Sequence, residues 1–170
     1  TTYYQMKDRA GIVGRTGLAV LIRKIRAQSP AVKIHLIGHS FGGRLVTAAA
    51  LAPEGQPPLH VNSMTLLQAA FSHNGFAQKF DGKSDGLFRK LISEAQIAGP
   101  LLITCTSNDK AVGVAYPLAS LIAGENASAL GDANDPYGGI GRNGAQKTPE
   151  AMFSSLQAVG AAYAFKGGKL

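Results

Sequence analysis

Ser40 is the side chain around which chemistry could be built in this chain. It sits in Gly38-His39-Ser40-Phe41-Gly42, a Gly-x-Ser-x-Gly spacing, behind the apolar run 34–37 and ahead of a helix-compatible segment, 44–52. Strand, glycine-rich turn and helix in that order force the serine into a strained backbone at the tip of the turn, with its hydroxyl projecting from the end of a sheet. Gly38 and Gly42 supply positions without a Cβ, where strand and helix must approach closely. The N–H of Phe41 falls at the helix start, where amides point out of the helix and can stabilise an oxyanion. The chemistry such a turn serves is attack of a serine oxygen on an acyl carbon.

The motif and its flanks resemble the α/β-hydrolase superfamily of serine hydrolases, with His39 and Phe41 filling the variable positions much as in esterases and lipases. The resemblance implies an ester or related acyl substrate, either a small molecule or lipid-like. It implies no cofactor and no metal. Transfer of the acyl group to an acceptor other than water would use the same serine. A rival of another class is a hydrolase-fold binding module that turns nothing over.

A serine hydroxyl is a weak nucleophile until a base takes its proton and an acid orients that base. The superfamily orders these as Ser, then Asp or Glu, then His. Ile103-Thr104-Cys105-Thr106-Ser107-Asn108-Asp109 resembles its strand-then-Asp signature, which makes Asp109 the expected acid. An ordinary Asx-turn is the alternative reading of Asp109. The four histidines, His35, His39, His60 and His73, all precede Asp109. In the family order, therefore, the base falls outside this stretch, and these residues alone are expected to be inactive. His73, just past the second strand, is the one internal alternative as base. His35 and His39 read as packing residues.

The elements that must hold these groups alternate. Residues 16–28 fit a helix with Thr16 as N-cap and Leu18, Leu21, Ile22 and Ile25 on one buried face, and Ser29-Pro30 ends it. Residues 6–14 read as a loop or frayed turn. Residues 32–37, 61–67 and 101–106 read as strands, and the stripe of Leu87, Phe88, Leu91, Ile92 and Ala95 as another helix. Residues 149–159 fit one more helix, and 162–166 the approach to a further strand. This is an α/β pattern: a partial α/β-hydrolase fold, with a parallel sheet covered by helices on both faces and strands missing at both ends. Residues 1–170 read as one incomplete domain, with 124–149 a Gly-rich surface loop. The longest loops are 72–86 and 124–149, and neither is a clear candidate for a lid. Uncovered apolar surface and open sheet edges are expected where strands are missing.

Other signals are weaker. Gly139, Gly141 and Gly144 form a formal G-x-G-x-x-G, but no strand precedes it and no helix pattern follows directly, so a dinucleotide is not expected. Asp132, Asn134 and Asp135 suggest calcium, yet Pro136 and Asn143 stand where such a loop needs oxygen ligands. Asn126-Ala127-Ser128 is a sequon without a secretory context. Cys105 lies in an apolar run and reads as a buried, inert thiol; as the only cysteine it excludes an internal disulfide. The net charge of +7 is spread over scattered Lys and Arg with no interleaved aromatics, so nucleic acid is not an expected partner. No apolar run is long enough to span a bilayer. A cytoplasmic location fits these features, and oligomeric state is left open.

Overall fold

The computed structural model describes residues 2–112, 133 and 137–165. The sequon at Asn126, the Asp132, Asn134 and Asp135 cluster, and residues 124–132 of the Gly-rich loop lie outside them.

Helix α1 (Thr2–Val13) runs through a π-turn, Gly14–Leu18, directly into α2 (Ala19–Gln28). The segment read as a loop, 6–14, is therefore helical, and Thr16 lies within the π-turn, donating its hydroxyl to Ile12 O at 2.8 Å. The reason is packing. Ala10, Gly14, Ile22 and, half-buried, Leu18 turn toward the core. A spacing of four over-rotates an α-helix by about 40° per step, and one wide π-turn absorbs that drift. Gly14 makes the approach possible, since a Cβ there would lie 2.2 Å from Leu45 O. The buried stripe is consequently not the one the periodicity suggested: Leu21 and Ile25 are exposed, and Ala19 is buried in their place.

Strand β1 (His35–His39) leads into α3 (Phe41–Ala50), followed by β2 (Ser63–Leu67), the short helix α4 (Lys90–Ser93) and β3 (Leu101–Thr104). The three strands form a parallel sheet in the order β1-β2-β3, so all three C-terminal ends share one edge. The register puts Leu36, Met64 and Leu101 on one face with Gly38 and Leu66. That face carries the core, joined by Val46, Ala49, Ile22 and Leu91. Among the described residues, nothing covers the second face of β1. On the opposite face His35 and His39 are exposed and Ile37 is 66% exposed. Strand β1 also starts three residues later than the predicted strand 32–37, and the predicted 87–95 helix is reduced to α4, with 87–89 in turns before it and Ala95 at φ 48° just past its end.

After β2 the chain packs tightly over residues 69–77, which Phe88 and Arg89 rejoin beyond an exposed stretch, 81–85. Phe71 meets Phe76 and Phe88 edge-on, with centroids 5.8 and 5.1 Å away. Such pairs each contribute about 0.5–1.5 kcal/mol beyond area burial. Arg44 of α3 lies 6.0 Å from the Phe88 ring centroid and donates from Nε to Lys7 O at 2.9 Å, tying α1 to this cluster. Burial, and then the Arg44 charge, lower the Lys7 ammonium to about 8.

Residues 138–148 are not the end of a surface loop. Gly138, Gly139, Ile140, Gly141, Gly144 and Ala145 are buried, and α5 (Ile140–Asn143) opens there. Their backbone forms a ladder on the chain leaving β2: Ile140 N donates to Phe71 O, Gly141 N to Ala69 O and His73 N to Gly138 O. Beyond them, residues 151–165 are irregular and largely exposed, not the predicted helix.

A bidentate ion pair fastens this return. Arg89 donates to both Glu150 oxygens at 2.7 and 2.6 Å. Hydrogen bonding from Arg89 holds the Glu150 carboxyl below its ordinary range. A depressed acid contributes stability that is present above its unfolded pKa and is lost as pH falls through the folded value. Amide-exchange protection factors across 74–89 and 146–150, corrected for the intrinsic rate at each pH, are expected to fall as pH drops below the ordinary glutamate range. Arg89→Met should remove that acid dependence while costing about 1.5–3 kcal/mol at neutral pH. An unchanged pH profile in Arg89→Met would show that the pair does not hold the return.

Candidate active site

The turn between β1 and α3 is built from very small contacts. Ser40 has φ 52° and ψ −122°, a backbone that L-residues other than glycine rarely adopt. It is held from both sides: Ser40 N donates to Leu67 O at 3.1 Å, and Ala70 N donates to Ser40 O at 2.9 Å. A Cβ on Gly38 would lie 2.4 Å from Gly42 O and 2.7 Å from Gly43 Cα. The second close approach falls one residue later than the motif suggested. A Cβ on Gly43 would meet Ala69 Cβ at 2.5 Å, whereas one on Gly42 would meet nothing within 4 Å. The helix leaves the turn so that Gly43, not Gly42, faces the chain beyond β2. Phe41 occupies the first position of α3.

Asp109 follows β3 in a tight turn closed by Asp109 N donating to Thr106 O at 3.0 Å. Its carboxylate accepts the Val112 N–H at 2.9 Å, capping the helical turn that starts at Lys110. The site edge thus brings Ser40 and the Asp109 loop to the ends of parallel strands, with no hydrogen bond between the two side chains.

His73 is 2% exposed, packed beneath Gly138, where a Cβ would come within 2.5 Å of its ring. Asn143 Nδ2 lies 3.1 Å from His73 Nδ1. No hydrogen bond joins His73 to Ser40. The remaining histidines, unlike His73, are exposed: His35 has Nδ1 2.7 Å from Ser63 Oγ, and neither it nor His39 packs in the core as expected, while His60 is exposed too. Cys105 is exposed rather than buried, because β3 ends before it; partial desolvation still raises its thiol pKa.

Two participants escaped the sequence reading. Gly43 had a signal, the second glycine of a Gly-Gly pair. Gly141 had none, because what it approaches, the backbone of Gln68, is 73 residues away in sequence. Among the described residues no group of three or more His, Cys, Asp or Glu could hold a metal ion. Likewise, no helix among them is long and apolar enough to cross a membrane.

A three-stranded parallel sheet, a strained serine at the first strand-to-helix turn and a following crossover to the neighbouring strand make up part of the α/β-hydrolase fold. The family model of that fold matches residues 14–98, and the chain belongs to this family. No curated protein and no solved structure matches it.

Proposed function

We propose that this protein is a serine hydrolase acting on an ester or related acyl bond, with Ser40 as nucleophile. The observation that carries the reading is the Ser40 backbone, φ 52° and ψ −122°, locked by Gly38 and by two hydrogen bonds at the start of α3. Strain of that kind costs about 1–3 kcal/mol and persists where surrounding structure over-determines it, as at active sites. Phe41 N–H is the proposed oxyanion donor, by its position at N1 of the helix. Asp109 is the proposed acid, supported by its place after β3 at the same sheet edge. The base is proposed to be a histidine other than the four in these residues, given the hydrogen bonds and burial of His73. The substrate is a small or lipid-like acyl compound, and no cofactor is invoked.

One observation favours a second reading. The Asp109 carboxylate is engaged as a helix cap, and no proton path links Ser40 to an acid and base among the described residues. A binding module without turnover would look the same. Treating the full-length protein with a fluorophosphonate and locating the adduct by mass spectrometry separates the two. Stoichiometric modification at Ser40 supports the hydrolase, and a folded protein that stays unmodified supports the binding module.

A further inference from the structure

Ser40 is not alone in its strain. Its neighbour across the sheet edge, Gln68, has φ 40°, also in the left-handed region. The β1–β2 register ends at His39 and Leu67, so Ser40 and Gln68 are the next residues on adjacent strands. The two bonds that fix Ser40, to Leu67 O and from Ala70 N, bracket Gln68 on both sides. Toward β3, Gln68 N donates to Thr104 O at 3.2 Å, and the side-chain amide Nε2 donates to Thr104 Oγ1 at 2.9 Å. Beyond Thr104 the chain turns through Thr106, whose N–H donates to Gly141 O at 3.0 Å, to Asp109. Gly141 in turn lies against the Gln68 backbone, where a Cβ would come within 2.5 Å of Gln68 C.

A glutamine with positive φ costs about 1–2 kcal/mol that glycine would avoid. Here the side chain supplies what glycine cannot, a hydrogen bond that reaches the next strand. Resting on the reading of Ser40 and Asp109 as nucleophile and acid, we propose that Gln68 is a positioning residue. Its amide ties the end of β2 to Thr104 and so fixes the turn that carries Asp109 relative to Ser40. Gln68 touches no reacting atom in this role; it acts through Thr104.

The test uses isosteric changes in the full-length protein. Gln68→Met removes the donor at similar length, Thr104→Val removes the acceptor, and Thr104→Ser keeps the hydroxyl. Each of the first two should lower the fluorophosphonate labelling rate at Ser40 by about 2–10-fold. The double variant should be no slower than the worse single, and Thr104→Ser should label close to the unchanged rate. Amide exchange at Thr106 and Asp109 should quicken in Gln68→Met and Thr104→Val but not in Thr104→Ser. Multiplying effects in the double variant, or labelling and exchange both unchanged in Gln68→Met, would overturn the proposal. An unmodified wild-type Ser40 with exchange accelerated in both variants would instead overturn the hydrolase reading while supporting the tie between Gln68 and the Asp109 turn.

Discussion

Ser40→Ala is expected to reduce fluorophosphonate labelling to background and to cut acyl hydrolysis by a factor on the order of 10⁶, the scale set by removing a serine nucleophile from a working triad. On the proposed reading the Ser40 hydroxyl forms the acyl bond, and neither Phe41 N–H nor the glycines can replace it. The backbone supplies a control that separates chemistry from folding. At φ 52° and ψ −122° both serine and alanine carry a Cβ into a disfavoured region, while glycine does not. Ser40→Gly should therefore be as inactive as Ser40→Ala yet more stable than it. The strain relieved is about 1–3 kcal/mol, less about 0.5–1 kcal/mol for the entropy glycine loses on folding. The net gain of about 1 kcal/mol corresponds to a melting temperature roughly 2–4 °C higher. Labelling that survives in Ser40→Ala would put the nucleophile elsewhere. A glycine variant that melts below the alanine variant would mean that the turn is not strained.

What could be read in the residues was local, and what could not was contact between distant segments. The strand, turn and helix around Ser40 declare themselves because Gly38, Ser40 and Gly42 stand within five residues, between an apolar run and an alanine-rich helix. The alternation that gives β2 and β3 is equally local. Helix α1 is different: residues 6–14 lack an apolar stripe, and their burial depends on Gly11 and Gly14 lying against Arg44 and Leu45. Periodicity alone assigned Leu21 and Ile25 to the core because it cannot register a π-turn upstream. The buried position of residues 138–148 rests on glycines that approach His73, Val112 and Gln68, none of them near in sequence. A Gly-rich stretch looks the same whether its glycines serve freedom in solvent or contact in a core.

The same glycine geometry yields a pair of results that should differ in sign. Gly38→Ala places its methyl 2.4 Å from Gly42 O, 2.6 Å from Gly42 C and 2.7 Å from Gly43 Cα. All three are backbone atoms at the start of α3, so no side chain can swing aside. Relief requires moving the helix away from β1, which would break the bonds from Ser40 N to Leu67 O and from Ala70 N to Ser40 O. Overpacking of this kind costs typically 1–3 kcal/mol and more when backbone must shift. An expected loss of about 3 kcal/mol or more is a large fraction of the roughly 5–15 kcal/mol that holds a domain together. It should appear as a melting temperature lower by roughly 6–12 °C or as failure to fold. Gly42→Ala is expected to do the reverse. Its methyl meets nothing within 4 Å, and it sits at a helical position of α3 where alanine is favoured over glycine by about 0.5–1 kcal/mol. The variant should fold at least as stably as the parent. Thermal melts of the two proteins side by side decide the matter. Equal destabilisation would mean that Gly42, as the Gly-x-Ser-x-Gly spacing suggests, shares the steric demand of the turn; the divergent outcome would place that demand on Gly38 and not on Gly42.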